Sequence, residues 1–370
     1  MKLTIPHDQF AAVVAFATRA LPARPPVPVM AGLKLTANDG QLAVTGFDYE
    51  VSAYTTAAAH VADPGSVLVS GRLLSDITRT LKHDVHLSTD NTRAVLESGS
   101  ARFTLHTLPL EEFPALPVAP TASGTVSGTD FAAAVAQVAT AAGRDDTLPA
   151  LTGIRVTVDG DLLTLAATDR YRFAVRSLPW NPLTDSPDDH HALVPARTLL
   201  DTAKALVGDH DVTVALPGEQ SIFGLTGESC RTTTRVLDDD LPKYRTVFPT
   251  EFTATATARI DALADAAKRV ALVAERSLPL RLHFEGGSLT IEAGSSDDAQ
   301  AVDRVDATIT GADTFDVAFS PAYLLDGLAA LEGERVQFNL VTPTKPALLH
   351  AVDAPASSLQ YLLMPIRLSG

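Results

Sequence analysis

The sequence predicts an α+β protein made of three tandem copies of one domain. Three repeated patterns carry that expectation. A short apolar strand running into an amphipathic helix occurs at Val67–Ile77 (VLVSGRLLSDI), Ala192–Ala203 (ALVPARTLLDTA) and Val317–Leu328 (VAFSPAYLLDGL), and the helix acids Asp76, Asp201 and Asp326 recur every 125 residues. The helical pattern at Phe10–Ala17 (FAAVVAFA) returns at Phe131–Ala139 (FAAAVAQVA). Hairpin turns recur at Asn38-Asp39-Gly40, Asp159-Gly160-Asp161 and Gly286-Gly287-Ser288. A period of this length suits a whole domain and is too long for a solenoid unit. The expected domains are residues 1–121, 122–250 and 251–370.

The elements follow in order. Residues 2–5 read as a strand. Apolar Phe10, Val13, Val14 and Ala17 then share one helical face over 7–20, before Pro22. After the Pro-rich Pro22–Pro28 loop, 33–37 and 42–45 form a hairpin with the Asn-Asp-Gly chemistry a tight turn needs. A strand near 50–56, a helix over 72–81 and strands near 84–88, 93–98 and 101–106 complete the first copy. In the second copy, 124–126, the helix at 131–139, the hairpin 153–158/162–166 and a strand within 168–175 repeat the plan. A polar loop over 181–190 precedes the second repeat helix, and strands continue to about 236. The third copy has helices over 260–273 and 319–331, a hairpin at 280–285/289–292 and a C-terminal stretch over 360–368. Pro-broken exits run through 107–117 and 237–249.

Bulk properties narrow the class. The 370 residues carry a net charge of −15 and are 46% hydrophobic, which supports packed cores. No apolar run reaches the roughly 18 residues of a membrane span, and the N-terminal residues do not read as a secretory signal. The lone Cys230, in strand-like context, fits a structural role in a reducing cytoplasm. Net acidity argues against nucleic acid, but the placement of the cations decides. Arg19, Arg24, Arg72, Arg79 and Lys82, then Arg144, Arg197 and Lys204, then Lys268, Arg269 and Arg276 lie near helices. Asp39, Glu50, Asp63, Glu111, Asp159, Asp161, Asp188, Asp189 and Asp238–Asp240 crowd hairpins and loops. Two readings stay open: a basic inner surface that attracts phosphate backbone inside an acidic exterior, or helices with solubilising charge. Aromatic platforms for single strands and recognition-helix patterns are not expected, so any nucleic-acid contact should be to backbone.

The chain has no Walker loop, no dinucleotide-binding glycines, no nucleophile elbow and no HExxH. It also has no cluster of carboxylates and no base beside a nucleophile, so it reads as a non-enzyme without cofactors. His190-His191 suits a solvated loop better than a metal site. Gly294–Asp298 suits a repeated turn better than a cation site.

Leu21–Val29 (LPARPPVPV), Thr168–Phe173 (TDRYRF), Leu193–Arg197 (LVPAR), Leu241–Pro249 (LPKYRTVFP) and Met364–Leu368 (MPIRL), with the triple repeat, resemble the bacterial DNA polymerase III beta subunit family, the replicative sliding clamps. The resemblance spans the chain. Lys345–Leu349 (KPALL), the Ala-rich helices and the Ser-Gly tail resemble its high-GC Gram-positive branch. The resemblance implies three DNA-clamp domains forming half of a six-domain ring, with helices inside and sheets outside. It implies a head-to-tail homodimer around duplex DNA without sequence specificity, with Arg24, Arg72, Arg79, Arg144, Arg197, Lys204 and Arg276 toward the DNA.

It implies a dimer interface of Leu272 and Val273, on the third copy's first helix, against the region of Arg102 to Leu108, with Asp297 and Asp298 near cations there. It further implies a groove for peptide motifs of the replicative polymerase, clamp loader and repair proteins. That groove would comprise Leu151, Thr168, Arg170, Tyr171, Arg172, Phe173, Pro242, Thr246, Val247, Lys345, Pro346, Met364, Pro365, Ile366 and Arg367. A Met, Pro and aliphatic lining with a polar rim suits an extended peptide anchored by Leu or Phe. Arg170 and Tyr171 stand where Gly and His are commoner in the family, and Ile366 replaces a Met. Two readings follow: a general replication clamp, or a specialised second copy with altered partner or inhibitor binding.

Overall fold

A computed structural model describes residues 1–90, 92–183, 190–208, 210–218, 220–274, 278–294 and 299–367. Arg276, Asp297 and Asp298, and most of the Gly294–Asp298 turn, lie outside the described residues. Seven helices occur among the described residues: α1 (His7–Thr18), α2 (Gly71–Thr78), α3 (Gly128–Ala139), α4 (Ala196–Ala203), α5 (Tyr244–Val247), α6 (Ile260–Ala271) and α7 (Pro321–Ala330). Helices α2, α4 and α7 begin 125 residues apart, and Asp76, Asp201 and Asp326 hold the same position in each.

Helices α1, α2, α6 and α7 end earlier than the apolar pattern suggests, whereas α3 ends at Ala139 as expected. Ala20 N–H bonds the Ala17 carbonyl, and Leu272 and Val273 N–H bond Arg269 and Val270. These three-residue bonds tighten the last turn and satisfy orphan carbonyls. Leu272 and Val273 therefore sit just beyond α6, which corrects their expected place on the helix.

The chain forms two compact units. The first holds Met1–Thr129, Asn181–Ser186 and Asp201–Val236. Its strands are β1 (Lys2–Ile5), β2 (Gly32–Asn38), β3 (Gln41–Phe47), β4 (Val51–Ala58), β5 (His60–Asp63), β6 (Gly65–Ser70), β7 (Val85–Thr89), β8 (Arg93–Ser98), β9 (Ala101–Leu108), β10 (Gly124–Val126), β14 (Asn181–Pro182), β16 (Val212–Ala215), β17 (Ile222–Thr226) and β18 (Cys230–Arg235). They make one sheet in the order 14-10-16-17-18-4-3-2-6-9-8-7-1-5. Strand β14 is a correction: the expected polar loop begins with a short pairing to β10. Strand β4 pairs β18 antiparallel, and the buried Ser52 and Thr233 hydroxyls bond across this seam at 2.6 Å. Phe10, Val14, Leu33 and Leu74 bury the inner faces of α1 and α2 against the sheet. The hairpin between β2 and β3 turns at Asp39 (φ 47°) and Gly40 (φ 74°), two left-handed residues in succession as this turn requires.

The second unit holds Asp130–Trp180, Pro187–Leu200 and Leu237–Gly370. Its strands are β11 (Gly153–Asp159), β12 (Leu162–Thr168), β13 (Arg172–Pro179), β15 (His190–Pro195), β19 (Ala254–Arg259), β20 (Leu280–Glu285), β21 (Ser288–Gly294), β22 (Gln300–Thr310), β23 (Thr314–Phe319), β24 (Arg335–Leu340), β25 (Ala347–Ala351) and β26 (Gln360–Leu363). They order as 15-11-12-13-26-25-24-19-22-21-20-23. At its seam Arg172 pairs Leu363 and Phe173 pairs Leu362. Each sheet thus joins strands of two repeats, so a repeat boundary in sequence is no gap in the hydrogen-bonded structure.

Candidate functional site

The site grows from the turn between β12 and β13. Thr168 Oγ1 donates to the Arg172 carbonyl at 2.6 Å and accepts from Arg170 N–H at 3.1 Å. Asp169 Oδ1 accepts from the Tyr171 and Arg172 N–H groups at 3.0 and 3.1 Å. This aspartate turn forces Arg170 to φ +80°. The first repeat builds the same turn: Asp48 Oδ1 accepts from Glu50 and Val51, and Tyr49 takes φ +73°. The first two copies therefore share the turn, and a glycine-favouring backbone underlies the unusual Arg170.

Beyond the turn, Phe173 is buried and meets Phe248 edge-on at 5.6 Å. Phe248 also contacts Tyr244. These rings pack on Ala166, Val175, Leu348 and Leu362, fixing the short α5 that carries Thr246 and Val247. Farther back on this connector, the buried Arg155 donates to Asp240 at 2.6 Å and to the Leu241 carbonyl. Met364 N–H bonds the Tyr171 carbonyl at 2.9 Å, and Ile366 N–H bonds Ala318. The C-terminal Met364 and Ile366 side chains are each 37% exposed, as Val247 is at 39%. Pro242, Lys345 and Arg367 are also exposed, and Leu151, Pro346 and Pro365 half-buried. All fifteen expected groove residues lie in the second unit. Thr168, Arg172 and Phe173 are buried, however, and serve as its foundation.

Beside Tyr171 opens a cleft of about 630 Å³, lined among others by Arg144, Leu148, Leu151, Arg170 and Tyr323. Tyr171 stacks on Tyr323 at 6.0 Å and 22°, and Tyr171 is largely exposed. The members of this pair lie far apart in sequence. Beneath it, Arg172 Nε donates to Asp169 at 2.9 Å, Nη1 to Asp326 at 2.6 Å, and its guanidinium lies 4.5 Å from the Tyr323 ring centre. Burial alone would lower the Arg172 pKa, but Tyr361, Asp326 and Asp169 hold the cation above the ordinary arginine value. Burial pushes the Tyr361 hydroxyl above its ordinary value; it donates to the Tyr323 carbonyl at 2.9 Å. Burial, then Asp169, likewise raises Tyr323.

The expected DNA cations are exposed wherever described. Arg79 pairs with Asp76 at 3.7 Å, Lys204 with Asp201 at 3.8 Å, and Arg72 donates to the Pro22 and Ala23 carbonyls. Arg24, Arg144 and Arg197 have no ion pair among the described residues. Arg102 pairs with Glu97, Leu108 packs by Val29, Met30 and Leu68, and Leu272 is 85% exposed. Two half-edges stay open among the described residues: 101–106 of β9 pairs only β8, and 300–306 of β22 pairs only β21. His191 pairs with Asp240, and no three His, Cys, Asp or Glu among the described residues converge as metal ligands.

Sequence reasoning missed Tyr323, Asp326, Tyr361 and Phe248. One signal was available for Asp326. The residue three places on is Arg79 in the first copy and Lys204 in the second but Ala329 in the third, which leaves that acid without a cation on its own helix.

Three family models match in succession: the N-terminal domain of the DNA polymerase III beta subunit over residues 1–117, the central domain over 125–243 and the C-terminal domain over 245–367. The chain belongs to this sliding-clamp family. It is 56% identical to the beta sliding clamp of Streptomyces coelicolor across all of both chains. It is 43% identical to that of Micrococcus luteus, over 84% of this chain and all of the other. A beta sliding clamp homolog of Streptomyces muensis, GriR, is 41% identical over 99% of both. Among solved structures, the Pseudomonas aeruginosa clamp bound to griselimycin superposes with TM-score 0.91 at 26% identity, covering both chains fully. The expected family, its high-GC Gram-positive branch and the role of a replication processivity clamp are borne out. The family is one of clamps that act with DNA and polymerase, and not one of catalysts. No described helix is long and apolar enough to cross a membrane.

Proposed function

We propose that two copies of this chain close head to tail around duplex DNA and tether partners through the Tyr171–Val247–Met364 groove. The whole-length match to three successive clamp domains carries the proposal. The domains are residues 1–121, 122–250 and 251–370. The two open half-edges support closure: β9 of one copy and β22 of the next each offer unpaired backbone, beside exposed Leu272. Such a heterologous contact closes after two copies. Arg102, Leu108, Leu272 and Val273 supply its side chains, with Asp297 and Asp298 as acids facing cations. Leu272→Ala with Val273→Ala yields a monomer by sedimentation at micromolar protein; an unchanged profile rejects this interface.

Arg24, Arg144 and Arg197, without ion pairs among the described residues, are the cations best disposed to phosphates, with Arg72, Arg79, Lys204 and Arg276 adding to a diffuse field. Diffuse contacts permit sliding, and closure rather than affinity retains the protein. The groove supplies half-exposed Met364, Ile366 and Val247 to an apolar peptide anchor. The replicative polymerase, clamp loader and repair proteins compete for it through such peptides, and the working compartment is the cytoplasm.

A second reading, a specialised copy with altered inhibitor binding, draws on the likeness to GriR and on Arg170 at φ +80°. The greater identity to the Streptomyces coelicolor clamp favours the general one. Retention on nicked circular DNA, with loss when the circle is linearised, tests the main reading. Equal retention on both templates rejects it.

A further inference from the structure

The repeated acid of the second helix is used in two different ways. Asp76 and Asp201 each meet a cation three residues on, along their own helix, at 3.7 and 3.8 Å. Such exposed pairs contribute little. Asp326 has Ala329 at that place and instead accepts from Arg172 of β13 at 2.6 Å. Arg172 is buried, with 6% of its side chain exposed. A charge-assisted bond to a buried guanidinium is stronger and more directional than a surface pair.

The same acid also acts one turn back along its helix. Tyr323 and Asp326 are three apart on α7, so they share a face. Asp326 holds the Arg172 guanidinium, which lies under the Tyr323 ring at 4.5 Å. The same ring stacks on exposed Tyr171 above the cleft. Gly327 completes the arrangement: a Cβ there would stand 2.5 Å from the Tyr361 ring, whose hydroxyl bonds the Tyr323 carbonyl.

We infer that Asp326 is a positioning residue for partner-peptide binding. It clamps α7 to β13 and so holds the Tyr171–Tyr323 pair as a rigid wall of the groove. This rests on the groove reading above. A preformed wall removes ordering cost from each binding event, so its loss shortens the bound lifetime.

The test uses the full-length protein and a fluorescein-labelled octapeptide with Leu and Phe anchors in a polar background, read by anisotropy and stopped flow. Asp326→Ala weakens the peptide about tenfold, mainly through faster dissociation. Asp326→Glu restores most of the affinity, and Asp76→Ala, at the same place in the first repeat, leaves it unchanged. Asp326→Asn keeps the shape without the charge and behaves as Asp326→Ala, which guards against misfolding of the alanine variant. Wild-type dissociation in Asp326→Ala and Asp326→Asn overturns the inference, as does failure of Asp326→Glu to recover affinity. Val247→Asp separates the two levels. If it abolishes binding while the Asp326 variants bind normally, only the positioning role fails. If it binds normally, the groove reading itself fails.

Discussion

Replacing Arg172 by Met removes the buried charge and keeps an apolar stem of similar length. The wild-type guanidinium bonds Asp169 at 2.9 Å and Asp326 at 2.6 Å, and lies 4.5 Å from the Tyr323 ring centre. Removing one partner of a buried pair costs about 3–5 kcal/mol, because the other charge is left behind. Here the orphans differ. Asp326 has a side chain 45% exposed and regains water, whereas Asp169 is 13% exposed. Asp169 still accepts two backbone N–H bonds. The loss should therefore fall near the low end, about 3 kcal/mol. Asp169→Asn in the Arg172→Met background should recover about 1 kcal/mol, since it removes the stranded charge. The assay is hydrogen exchange of the β13 amides together with denaturant unfolding of the four members of the cycle. A loss below about 1 kcal/mol for Arg172→Met, or a double variant worse than the sum of the singles, would refute the claim that Arg172 is held by buried carboxylate pairing.

Three further outcomes are expected. Gly327→Ala should gain helix propensity but drive a methyl into Tyr361, for a net loss of about 1 kcal/mol and a melting shift of roughly 2–4 °C; a rise in melting temperature contradicts the packing. Replacing Arg24, Arg144 and Arg197 together by Ala should reduce the log–log salt slope of duplex binding by about 0.9 for each phosphate these cations neutralise; an unchanged slope removes them from the DNA surface. His283 bonds Asp316 at 2.7 Å, and this bond, opposed by slight burial, raises its pKa. Its contribution to the β20–β23 edge is thus full below the ordinary histidine value and fades as pH rises through the raised one. Wild type should lose more melting temperature than His283→Gln over that window, and parallel curves contradict this.

The architecture was legible because it is written repeatedly. The strand-to-helix segment places helix starts at Gly71, Ala196 and Pro321 with equal spacing, and turn residues such as Asp39-Gly40 carry their own geometry. What stayed hidden depends on partners distant in sequence. Nothing near Val51 or Arg172 announces that their strands continue into sheets with β18 and β26. The groove residues came from family likeness, not from local pattern, and Phe173 proved to be foundation instead of contact surface. The Tyr171–Tyr323 pair joins residues 152 positions apart, so no window of sequence contains it. Asp326 was visible only as the third copy of a repeat; its different use follows from Ala329 and from a buried arginine on another strand.

Closure around DNA is a topological property, and retention on DNA measures it. The protein is loaded onto nicked circles, free protein is removed, and the bound fraction is followed in high salt before and after the circle is cut once. Closure around the duplex predicts a long-lived bound fraction on the intact circle that leaves within the time of sliding off the new ends. A bound fraction unaffected by cutting, or already lost from the intact circle as salt rises, would contradict it.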